Sequence, residues 1–91
     1  MFDEVEIAPR VSARHPELTS ADISSAWKNA RFIIERSGIP LPDVILVAVG
    51  TDSNNRLIEM VGAIKEHGVI YIFHAMTPPS RKTLHELGLI E

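Results

Sequence analysis

The sequence predicts an α+β domain in which one long helix lies against a small antiparallel sheet. Three observations lead there. Apolar residues recur at Ile23, Ala26, Trp27, Ala30, Ile33 and Ile34, the three-and-four spacing of a single helical stripe. Three strand-like runs follow, Val44–Val49, Arg56–Ile64 and Val69–Met76. Turn chemistry separates them, first Asp52-Ser53-Asn54-Asn55 and then Lys65-Glu66-His67-Gly68. Two consecutive hairpins make a three-stranded meander, and the element order is (β)αβββα.

Each element has a local cause. Val5 and Ile7 alternate with Glu4 and Glu6, so Phe2–Ala8 is expected to form an extra N-terminal edge strand that Pro9 ends. The remainder up to residue 18 reads as irregular. Thr19-Ser20-Ala21-Asp22 has the form of a capping box, with Thr19 as N-cap and Asp22 at N3. The helix is expected over 20–37, stopped by Gly38 and Pro40. Val44–Val49 is continuously apolar, as suits a strand covered on both faces. Gly68 is the residue expected to take positive φ in the second hairpin. A short last helix is expected with Thr77 as N-cap and Pro78 at N1, carrying Leu84, Leu87 and Ile90 and fraying at Gly88.

Composition sets the outer limits. The 91 residues suit one domain, residues 1–91, and 45% of them are apolar, enough for a core. There is no cysteine, which removes disulfides, Cys-based zinc clusters and thiolate nucleophiles. The longest apolar runs, Val44–Gly50 and Val69–Phe73, fall far short of the roughly 20 residues that cross a bilayer. The acidic start MFDEVEIAPR has no secretory h-region. A soluble cytoplasmic protein with no membrane partner is therefore expected. Nine Lys+Arg against twelve Asp+Glu leave a net charge of −3, which argues against nucleic-acid binding through bulk charge but not against a local basic site.

The second hairpin places polar groups. With a four-residue loop, Ile64 faces Val69 and Glu59 faces His74. Val61, Ala63, Leu57, Ile70, Ile72 and Met76 then share their side of the sheet. The other side carries Ile58, Met60, Gly62, Val69, Tyr71, Phe73 and Ala75, and is expected to meet the helix, with Gly62 allowing close approach. Glu59 and His74 are the carboxylate and the imidazole within these strands, and such a pair can do general acid–base work. The bland alternative is a cross-strand salt bridge on a solvated face. The first side also needs a cover; uncovered, it would be a partner surface, and a homodimer or a bound partner peptide is expected there.

Other residues carry weaker signals. His15, beside Arg14 and just before the helix, is either a phosphate-contacting group or a loop residue packed at the helix start. Arg81 and Lys82 open the last helix, where a cation is mildly unfavourable against the helix dipole and where it could hold a phosphate. Arg56 starts its strand beside the turn and reads more simply as a solvated strand end. His67 and His85 read as surface residues. The four histidines have no metal-ligand spacing, and there is no Walker loop, GxGxxG or GxSxG, so neither a metal nor a cofactor is expected. Trp27 lies on the apolar stripe and reads as core; a small-molecule pocket beside it is a third, weaker reading.

Three stretches together resemble a known family. They are Arg14-His15-Pro16-Glu17-Leu18-Thr19 leading into Asp22-Ile23 and Ala26-Trp27; Val47-Ala48-Val49-Gly50 with Asn55-Arg56-Leu57-Ile58-Glu59-Met60-Val61; and Ile70-Tyr71-Ile72-Phe73-His74-Ala75-Met76 followed by Arg81-Lys82. The pattern, over about residues 10–87, resembles the BrnT-like toxins of type II toxin–antitoxin systems, which have a RelE-like ribonuclease fold. The resemblance implies an mRNA-cleaving toxin held inactive by an antitoxin protein, with the RNA's own 2′-hydroxyl as nucleophile and no metal. Carried over by position, Arg56 matches the arginine that opens the second strand and His74-Ala75-Met76 the family's Ser-Ala-Arg; the expected catalytic set is His74 substituting as the acid–base group, Glu59 orienting it and Arg81 charging the phosphate, with RNA contacts expected of Arg14, His15, Arg56 and Lys82. This chain departs from the family pattern in two ways: His74 and Met76 stand where the family has serine and arginine, and the net charge is acidic. A non-catalytic protein-binding module of the same fold, associating through its apolar sheet face, is the alternative those departures favour.

Overall fold

The computed structural model describes residues 4–36 and 44–91. The described elements run β1 (Glu4–Ile7), α1 (Pro9–Arg14), α2 (Ser20–Lys28), β2 (Phe32–Glu35), β3 (Ile45–Thr51), β4 (Leu57–Ile64), a 3₁₀ turn (Glu66–Gly68), β5 (Val69–Met76) and α3 (Arg81–Glu86). The class is α+β, as expected. The sheet, however, has five strands in the order β1-β5-β4-β3-β2, not a three-stranded meander with an added edge. It is mixed, because β1 runs parallel to β5 while every other pair is antiparallel. Among the described residues no helix is long and apolar enough to cross a membrane.

The largest departure from the sequence reading is the long helix. Its start is as expected: Thr19 Oγ1 accepts from Asp22 N–H at 3.1 Å, and Asp22 accepts from Thr19 N–H at 3.0 Å. It ends at Lys28, not near residue 37, and Phe32–Glu35 is a strand on the free side of β3. Phe-Ile-Ile has poor helix propensity and good strand propensity, and β3 offers it an open edge. Ile33 still reaches the core beneath α2, so the helical stripe was compatible with either structure. The stop signals Gly38 and Pro40 lie outside the described residues, as does Phe2. Pro9, expected only to end β1, also opens α1, where its missing N–H costs nothing.

Both faces of the sheet bury apolar side chains. On one, α1 and α2 enclose Val11, Ile23, Trp27, Ile58, Met60 and Ile72. Trp27, at 1% exposure, is core. A Cβ at Gly50 would run into the Ala26 carbonyl oxygen, so Gly50 is the residue that lets α2 approach. That role was expected of Gly62, whose own surroundings are Ile70 and the Tyr71 backbone. The opposite face buries Ile45, Val47, Val61 and Ala63. Of the apolar patch expected there, Val61 and Ala63 are buried and Ile70 and Ile72 turn to the helix side, while Leu57 is exposed, as is Phe32 on the same face.

The β4–β5 hairpin also differs. Lys65 N–H donates to Val69 O, so the loop is one residue longer than expected and Ile64 faces Ile70. That slip turns Ile70 and Ile72 to the helix side and sets Tyr71 opposite Ala63. A bulge then inserts Phe73, so that Gly62 faces Ile72 but Val61 faces His74 and Glu59 faces Met76. Gly68 has φ 77° as expected. The last helix begins later than expected, with Ser80 as N-cap instead of Thr77. Pro79 forces the residue before it out of the helical region, so Pro78 cannot sit at N1 of a helix.

Candidate active site

Glu59 and His74 meet on the face opposite α1 and α2. They are not directly opposite in register, as expected, but diagonal, and their long side chains close the gap: His74 Nε2 lies 2.7 Å from Glu59 Oε2. Glu59 is buried at 4% exposure, while the His74 side chain is 38% exposed. The other carboxylate oxygen accepts from Ser80 N–H at 2.8 Å and from Ser80 Oγ at 2.9 Å. Ser80 Oγ in turn accepts from Thr83 N–H at 3.2 Å, so the hydroxyl that caps α3 also anchors the carboxylate.

This setting fixes protonation states. Burial pushes the Glu59 carboxyl up, but hydrogen bonds from His74, from the Ser80 backbone and hydroxyl and from Thr83 outweigh it and hold the pKa at about 2. Glu59 is then a carboxylate near neutral pH and can only accept. His74 must carry its proton on Nε2, which in the neutral ring leaves the lone pair on Nδ1. Among the described residues no hydrogen bond to Nδ1 is made. A buried acceptor, itself held by a serine, thus orients a half-exposed imidazole for proton transfer.

The pair lines a depression of about 310 Å³ together with Ser80, Lys82, Phe73 and Arg36. Arg36 is tied in a two-pronged pair with Glu86, Nε to Oε2 at 3.0 Å and Nη2 to Oε1 at 2.8 Å. Hydrogen bonding to Arg36 holds the Glu86 carboxyl below its ordinary range. Ser80, Arg36 and Glu86 were not singled out from sequence. Ser80 has a signal in the sequence, a hydroxyl residue just after a proline pair; Arg36 has none.

The other expected site residues lie elsewhere. Arg81 is exposed and lines a separate shallow depression with Lys82 and His85. Arg14 ends α1 on the helical side of the sheet and is exposed; His15 Nδ1 is 3.6 Å from Glu17. Arg56 is committed to structure. Its Nε donates to Asp52 at 2.9 Å, Nη2 to Asp22 at 3.1 Å and Nη1 to the Glu17 carbonyl at 3.0 Å. Asp52 also accepts from the N–H groups of Asn54 and Arg56. The network clamps the β3–β4 turn to the start of α2. Of the expected cations, Lys82 alone joins Glu59 and His74 in the first depression.

Among the described residues no group of three or more His, Asp or Glu side chains is placed to hold a metal ion. No protein-family model, curated protein or solved structure matches the chain.

Proposed function

We propose that the chain is a cytoplasmic, toxin-like endoribonuclease of the RelE/BrnT kind, cleaving mRNA with the substrate's 2′-hydroxyl as nucleophile. The observation that carries this reading is the half-exposed His74 held by a buried, ionised Glu59. His74 Nδ1 takes the 2′-hydroxyl proton as that oxygen attacks the adjacent phosphorus, and afterwards gives it up to solvent. The bond from phosphorus to the 5′ oxygen breaks, and that oxygen takes a proton from solvent. The products are a 2′,3′-cyclic phosphate and a 5′-hydroxyl. Lys82, lining the same depression, supplies positive charge to the phosphate where the resemblance alone would assign Arg81. An antitoxin protein is the partner this reading implies.

The test is cleavage of an end-labelled single-stranded RNA by purified protein. His74→Ala is expected to lower the rate by about 10²–10⁴-fold, the usual contribution of a positioned acid–base group. Cleavage equal in both proteins, or absent from both, removes His74 from catalysis. A second reading, a non-catalytic protein-binding module, is favoured by Met76 directly opposite Glu59 at the position of the family arginine and by the net charge of −3. Copurification with a small protein, without growth arrest on expression, supports that reading instead.

A further inference from the structure

The outer edge of β2, which has no strand beside it among the described residues, is self-complementary, and we propose that two copies of this chain join there into one continuous ten-stranded sheet. The argument begins with backbone direction. Arg36 N–H donates to Ile45 O on β3 at 2.9 Å. In an antiparallel ladder alternate residues point their N–H and C=O the same way, so Phe32 and Ile34 also face β3. The backbone groups of Ile33 and Glu35 therefore point outward, and Arg31 is the residue that leads into the strand. They lie at the end of the sheet order, with no strand beside them among the described residues.

Now let a second copy approach antiparallel about a two-fold axis through Ile33. Ile33 faces the same residue of the other copy, and their outward groups exchange hydrogen bonds. Arg31, just before β2 in each copy, then comes opposite Glu35 of the other. Phe32 faces Ile34. The segment Arg31-Phe32-Ile33-Ile34-Glu35 thus puts opposite charges together twice and apolar side chains together three times. Arg31 and Glu35 are exposed, and neither forms an ion pair among the described residues. Phe32 is 46% exposed, a large apolar side chain at a bare strand edge. The axis and the register are the ones that match charge; centring on Phe32 or Ile34 leaves Arg31 without Glu35 opposite.

The other edge of the sheet behaves differently. The same operation on β1, centred on Val5, sets Glu4 against Glu6 twice, and like charges directly opposite oppose pairing. One edge is guarded against its own copy and the other is matched to it. Because facing residues share a side of a sheet, the two Glu59–His74 depressions would lie on one face of the joined sheet. A cross-strand row, Phe32, Val49 and Glu59, runs from the junction to each. This inference stands whether or not His74 is catalytic.

The test is a sedimentation-equilibrium concentration series at low salt on wild type, Arg31→Glu, Glu35→Arg and the double swap. Wild type is expected to dimerise reversibly. Each single reversal sets two like-charged pairs opposite one another and should weaken the dimer about tenfold. The double swap should restore it. A wild type that stays monomeric at every concentration overturns the proposal. So does a dimer that the single reversals leave unchanged, or one that the double swap fails to restore; both place the contact on another surface. Thermal unfolding of each variant shows that exposed charge changes have not altered the fold.

Discussion

Replacing Glu59 by glutamine tests whether the site is held by charge or only by shape. The substitution keeps the size of the side chain and removes the ionisation. A carboxyl lowered from 4.5 to about 2 on folding carries about 3 kcal/mol of stability. Because the folded pKa is the lower one, that stability is present above pH 4.5 and is lost as the pH falls through about 2. Asp22, Asp52 and Glu86 are also held below their ordinary values, so the whole protein should weaken in acid. The difference between wild type and Glu59→Gln isolates one carboxylate. Urea unfolding followed by circular dichroism should show the variant less stable by about 2–3 kcal/mol near neutral pH. That gap should close as the pH approaches 2, where wild-type Glu59 is itself becoming neutral. A gap that stays constant over this range would mean that packing, not charge, is what glutamine disturbs. No gap near neutral pH would remove the ionised Glu59 from the account of the site.

Two further substitutions probe the frame around it. Gly50→Ala should destabilise by about 1–3 kcal/mol, because its Cβ would meet the Ala26 backbone carbonyl, which α2 cannot move alone. Gly62→Ala should cost less, since two of its three nearest contacts belong to the Ile70 side chain; thermal melts of both variants check the order. Asp52→Ala should cost about 1–3 kcal/mol by releasing Arg56 and two backbone N–H groups, and should leave RNA cleavage by the folded protein intact. Cleavage lost while the fold survives would give Arg56 the RNA role that its ion pairs argue against.

What the sequence made legible was local. The Thr19–Asp22 capping box, the Asp52–Asn55 turn and Gly68 depend on a few adjacent residues, and each behaves as its chemistry dictates. Phe32–Glu35 was ambiguous for a physical reason. Ile33 satisfies a helical stripe and a strand alternation equally, and the unpaired edge of β3, a long-range feature, decides between them. Arg56 looked like a solvated cation because nothing in one dimension shows that Asp22 and Asp52 converge on it. Arg36 and Glu86 lie far apart in sequence, and their pairing was equally hidden.

The meeting of Glu59 and His74 shows how a correct contact can survive an incorrect register. One extra residue in the β4–β5 loop displaces the whole of β5 and exchanges its faces, which alone would point His74 at α2. Phe73, inserted as a bulge, exchanges them back from His74 onward. Two slips of one residue restore the side of the sheet but not the alignment, so His74 sits diagonal to Glu59. The diagonal has a chemical consequence. Met76 takes the position opposite Glu59, leaving His74 next to Val61 and nearer the depression that Phe73 and Lys82 line. A direct pairing would have set imidazole and carboxylate side by side in the ladder. The bulge instead offsets them along the strand, with Glu59 buried against Ser80 and His74 reaching toward solvent, the exposure that the proposed proton transfer requires.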